Sequence, residues 1–193
     1  MDQKSFYHRI RYIILSPGKT WEIIHSENSP IKDVRNSFFF PLIIAVALSA
    51  SLGSILFTHI GLSFIYSLLV GVKYLVLFYA LIYLSSYLFC EITKALDLGK
   101  DFLLSFKLIT YSMAPFFICQ IMSRLFESLL FVNILALYGL YIFWIGVEKM
   151  INPPEHKKMP ILIATTVSVL VIFFATNWLL SAMLDRIYYT FFG

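Results

Sequence analysis

From Phe38 to Thr58 the chain runs 21 positions without a charged residue. As a helix that stretch is about 31 Å long, the thickness of a bilayer's hydrocarbon core. Backbone groups in lipid have no water to bond, so a spanning segment must be a helix or part of a closed barrel. Four further apolar runs follow, giving expected spans at about 38–58, 62–90, 102–126, 134–150 and 161–184. Composition agrees: 60% of the 193 residues are apolar and 13% charged, with a mean hydropathy of +0.82. Soluble domains carry about 25% charged residues. These figures exclude a soluble globular enzyme, a disordered chain and a secreted disulfide scaffold. The expected fold is all-α, a polytopic integral membrane protein of five transmembrane helices. Residues 1–37 form a cytoplasmic amphipathic segment and 38–193 the five-helix domain.

Orientation follows from Lys and Arg, which favour the cytoplasmic side. Twelve of them fall in the N-terminal segment, around the loop between spans two and three, and around the loop between spans four and five. Only Arg124 and Arg186 fall on the other side, with Lys73 inside a span. The N-terminus is therefore expected in the cytoplasm and the C-terminus outside. The net charge of +4 reads as orientation and contact with anionic head groups, not nucleic-acid binding. No cleavable signal is expected, since residues 1–37 carry ten charges and no compact apolar region.

Within that segment Phe6, Ile10, Ile13 and Ile14 share a helical face, with His8, Arg9 and Arg11 largely off it. Such a basic amphipathic helix suits the membrane interface. Ser16–Pro17 has the form of an N-cap and first-turn proline, leading into a second helix with Trp21 and Ile24 on one face. Arg9, Arg11 and Trp21 are the candidate interfacial or partner-binding residues; the plainer reading is an anchor that leads into the first span.

Ionisable groups at membrane depth are functional candidates. Lys73 either snorkels to the outer boundary or pairs with Glu127 or Asp185. Tyr111 and Pro115 stand at i, i+4, and the missing proline N–H predicts a kink. Gln120 and Asn177 are the other mid-span polar residues, suited to interhelical hydrogen bonds or to a transport path. Arg124 is expected to snorkel outward, and Trp178, Tyr188 and Tyr189 to form an outer aromatic belt. Ala45, Ser49 and Gly53 make a small-residue stripe for close helix approach. Glu127–Asn133 reads as a tight turn, and Pro160 as the opening of span five. Cys90 and Cys119 read as unpaired thiols at different depths. The histidines His8, His25, His59 and His156 lack metal-ligand spacing, and no nucleophile, metalloprotease or phosphate-loop motif occurs. No enzyme activity, metal or cofactor is expected.

Three short segments carry a resemblance: S-P-G-K-T-W at 16–21, Y-S-M-A-P at 111–115 and A-L-Y-G-L-Y at 136–141. In that order, with five spans, the chain resembles the Ypt-interacting-protein (Yip) domain family over nearly its whole length. The resemblance implies a five-helix membrane protein. Eukaryotic members are associated with Rab-type GTPases and vesicle traffic. Those members carry Asp-Leu-Tyr-Gly-Pro before the first span, where this chain reads Asp33-Val34-Arg35-Asn36-Ser37. The short loops look like a prokaryotic relative, which implies the bacterial inner membrane. The function expected is a non-enzymatic scaffold or adaptor, with membrane lipids and a protein partner or second copy as partners. The alternative is a small transporter or lipid-handling protein with a path near Lys73 and Pro115.

Overall fold

The structure, a computed structural model, describes residues 3–27, 29–57 and 64–191 (the side chains of 3–5, 127, 128 and 191 excepted). Every element among them is helical. Two short helices, α1 (Gln3–Leu15) and α2 (Pro17–Ser26), precede α3 (Ile31–Val34), a π-helical turn (Arg35–Phe39) and α4 (Phe40–Phe57). These last three run on as one 27-residue rod, so the helix that carries the first expected span starts before Phe38. Then come α5 (Phe64–Ala95), α6 (Phe102–Ser112), α7 (Ala114–Leu125), a 3-10 stretch (Glu127–Leu137), α8 (Tyr138–Met150) and α9 (Glu155–Phe191). Among the described residues four helices are long and apolar enough to cross a membrane, or five when the bent pair of α6 and α7 counts as one span. The expected link between the first two spans, residues 59–61, lies outside the described residues.

Several boundaries differ from the sequence reading. Glu127–Asn133 is not a tight turn but the start of the 3-10 stretch, which joins α8 in one apolar run, Leu129–Met150. Pro160 lies inside α9, not at its start, because Glu155–Met159 already form the first turn. Pro17 does open α2, but Ser16 gives no side-chain cap. After α5 the chain turns at Asp97 and Gly99, both at positive φ. Glycine tolerates that conformation without the clash a Cβ brings. Asp101 then caps α6, its Oδ1 accepting from the Leu104 N–H at 3.1 Å.

The bend falls at Met113, where α6 and α7 meet at 43°. Pro115 can offer no N–H to the Tyr111 carbonyl, and its ring crowds that turn. The expected kink is present. Every residue from Ser105 to Ser112 is buried, which makes α6 the central helix.

Glycines set the closest contacts. A Cβ on Gly53 would stand 1.8 Å from the Arg124 carbonyl oxygen, so α4 and α7 touch backbone to backbone. A Cβ on Gly71 would instead meet a side chain, the Ser51 hydroxyl, with the Ala47 carbonyl oxygen behind it at 3.0 Å. Lipid is as apolar as the helices, so within it such packing replaces the hydrophobic effect as the force for association. Cys90 and Cys119 are buried and free.

The helices exceed the membrane. At 1.5 Å per residue α5 is about 48 Å long and α9 about 55 Å, against a core of about 30 Å. One end of the bundle carries α1, α2 and the chain around residues 96–101 and 152–155; Lys157 Nζ donates to the Leu96 carbonyl there at 2.5 Å. It holds most of the Lys and Arg and is the basic end of the molecule.

Candidate functional site

At the basic end, α1 and α2 close over α6 and α8. Ile13, Trp21 and Ile24 are fully or almost fully buried and belong to the same core as Phe38, Phe106 and Ile142. The apolar stripe expected on α1 is real, but it faces the bundle.

Trp21 is seated most tightly. Its Nε1 donates to the Ile142 carbonyl at 3.0 Å. A buried indole N–H needs such an acceptor. Gly146, one turn on, makes room: a Cβ there would come within 2.7 Å of the indole. The ring meets Tyr111 edge-on, centroids 6.1 Å apart, and Tyr111 leans on Phe38 at 4.5 Å.

Beside this aromatic nest lies a polar latch. Arg9 grips Glu27 with both ends of its fork, Nη1 to Oε2 at 2.8 Å and Nη2 to Oε1 at 3.0 Å. Nη1 also donates to the Tyr111 hydroxyl at 3.1 Å. Two-point pairing of guanidinium and carboxylate fixes geometry as well as charge. Burial pulls the Arg9 pKa down, but the Glu27 and Tyr111 hydrogen bonds outweigh it and leave the pKa raised. Arg9 stays charged at any physiological pH. Lys107, buried on α6, donates from Nζ to the Glu27 carbonyl at 2.8 Å. That oxygen lies at the negative end of α2, where a cation is favoured. Glu27 thus ties α1, α2 and α6 together. Outside the nest, Lys149 donates to Glu22 at 2.5 Å, a hydrogen bond that holds the Glu22 carboxyl below its usual range.

The three resembling segments meet here. Trp21 of the first touches Tyr111 of the second. Tyr138 of the third donates to the Ile14 carbonyl at 2.8 Å, and a Cβ on its neighbour Gly139 would lie 2.7 Å from the Ser112 carbonyl oxygen. A family model described as the Yip1 domain matches residues 11–188. The chain belongs to the Yip1 domain family. No curated protein and no solved structure matches it.

The other sequence candidates in this Yip1 domain separate into two places. Arg9, Trp21 and Tyr111 form the latch and nest, while Arg11 on α1 is exposed. Lys73 lies at the opposite end, lining a cavity of about 380 Å³ with Tyr74, Arg124, Ser181 and Asp185. Its Nζ donates to Ser181 Oγ at 2.7 Å. No ion pair with Asp185 forms, and the Glu127 side chain lies outside the described residues. Arg124 does not snorkel outward: its guanidinium lies over the Tyr74 ring, 4.5 Å from the centroid, and Nε donates to Gln120. Gln120 in turn donates to Asn133. Asn177, one turn before Ser181, is half-buried and does not line the cavity. Trp178 and Tyr189 are exposed as an aromatic belt requires, but Tyr188 is buried against Tyr66, centroids 5.0 Å apart. Among the described residues no three His, Cys, Asp or Glu side chains are grouped to hold a metal.

Sequence reasoning missed Glu27 and Lys107. Lys107 carried a signal, since a lysine amid the apolar run 102–126 needs an acceptor. Glu27 carried none, being one acid in a polar stretch.

Proposed function

We infer that this Yip1 domain is a non-enzymatic membrane scaffold or adaptor, with its basic end in the cytoplasm of a bacterial inner membrane. The observation that supports this reading is the latch. Arg9, Glu27, Tyr111 and Lys107 hold α1 and α2 as a fixed platform on the bundle. The platform's outer side presents Tyr7, Arg11, Tyr12, Leu15, Lys19 and Ile23 to the surroundings. Cations among exposed aromatic and aliphatic groups suit both anionic head groups and a protein surface. A rigid platform loses less entropy on binding than a free segment would.

The latch also changes which residues grip the partner. Trp21 is spent on the bundle, and Gly53 on α7, so neither is offered outward. The transport reading is weaker, because the cavity that holds Lys73 includes neither Tyr111 nor Pro115.

Photo-crosslinking amino acids at Tyr12 and Ile23, with Ile163 as a lipid-facing comparison, test the platform in intact membranes. Discrete adducts at 12 and 23, lost in Trp21→Ala, are expected. Adducts that survive Trp21→Ala, or that arise only at 163, would overturn it.

A further inference from the structure

The cavity at the end opposite the latch has a charge imbalance. Two cations flank one ring: Lys73 Nζ is 5.0 Å and Arg124 Cζ 4.5 Å from the Tyr74 centroid. Like charges held close together repel, the more so where the dielectric is low. Among the described lining residues only Asp185 carries a negative charge, and it lies beyond ion-pair distance of both cations. The donors are also underused. Lys73 spends one of its three N–H groups on Ser181. Arg124 spends Nε on Gln120, and among the described residues its two Nη groups make no hydrogen bond. The Tyr74 ring fixes the plane of that fork, and a planar fork matches the oxygens of a phosphate.

Size and place narrow the occupant. About 380 Å³ holds roughly a dozen waters at ~30 Å³ each, more room than a single ion fills. Lys73 is nine residues into α5 from Phe64, about 14 Å along the helix, in the outer third of its length. The rim includes Leu130, 61% exposed, so the cavity opens beside an apolar surface that faces lipid. Among the described lining residues two cations and one carboxylate leave a single positive excess, which one phosphodiester neutralises.

We propose that this cavity binds the phosphodiester head group of a membrane phospholipid, with Lys73 and Arg124 on the phosphate oxygens and the acyl chains leaving past Leu130. The site is independent of the platform at the basic end. Phosphate chemistry is shared with free phosphate, so the test separates the two.

Native mass spectrometry of the full chain in detergent supplies it, with phosphatidylglycerol, a diacylglycerol of the same chains, or inorganic phosphate added. The expected result is one retained phosphatidylglycerol and little diacylglycerol, with retention about tenfold weaker in Lys73→Met and in Arg124→Gln. Equal retention of the two lipids by the wild type overturns the proposal, as does unchanged retention in both variants. Inorganic phosphate binding with no further gain from the lipid reassigns the cavity to a free anion and overturns the lipid. Circular dichroism and gel filtration check each variant's folding. Where a variant does not fold, the wild-type comparison of the two lipids decides alone.

Discussion

Arg9 shows how much one side chain decides here. It makes three hydrogen bonds that close α1 onto Glu27 and Tyr111, while Arg11, two residues on, is exposed. Truncating Arg9 leaves a half-buried carboxylate and a buried hydroxyl short of a donor. Hydrogen bonds to charged groups are worth about 1.5–3 kcal/mol each, so Arg9→Ala should cost about 2 kcal/mol in thermal or denaturant unfolding. Arg11→Ala should cost less than about 0.5 kcal/mol, as exposed substitutions do. A double-mutant cycle of Arg9→Ala with Glu27→Gln should return a coupling of about 1 kcal/mol; strict additivity would mean that the pair is not a latch. Gly146→Ala places a methyl group within 2.8 Å of both Leu108 and Trp21. Overpacking of this kind costs about 1–3 kcal/mol, and both Leu108 and Trp21 must give way, so the Trp21 fluorescence should shift to the red.

At the scale of the element, α6 and α7 form one bent pair whose bend sets the nest. Pro115→Ala restores an N–H to the Tyr111 carbonyl. The bend should fall below its 43°, drawing Tyr111 away from Arg9. Spin labels on Phe102 and Leu125, at the two ends of the span, should move apart. An unchanged separation would assign the bend to packing alone. Element-level features were the most legible in the sequence: the uncharged run gave the first span, Tyr111 with Pro115 gave the kink, and Gly53 gave a close helix approach. What escaped were pairings between distant positions. Arg9 and Tyr111 are 102 residues apart and Lys107 and Glu27 are 80 apart. Local periodicity reports which face of α1 is apolar but not whether lipid or protein covers it. For that reason the sequence places Trp21 among the interfacial or partner-binding candidates, whereas its neighbours are Ile142 and Gly146.

For the whole molecule, thiol labelling reads which way the basic end points. The two native thiols are buried, so the chain supplies a quiet background for labelling. A cysteine in place of the exposed Lys19 should react with an impermeant maleimide in inverted vesicles and not in intact cells, and one in place of the exposed Tyr189 should do the reverse. The opposite pattern would put the platform outside the cell. Order of synthesis adds a constraint of its own. The indole of Trp21 finds its acceptor 121 residues later in the chain. At 5–20 residues per second, the ribosome reaches Ile142 about 6–24 s after it has made Trp21. Through that interval α1 and α2 exist without the surface they are shaped to cover. Their apolar stripe and basic flanks suit a stay at the membrane surface, and the nascent hairpin can rest there until the fourth span arrives to receive it.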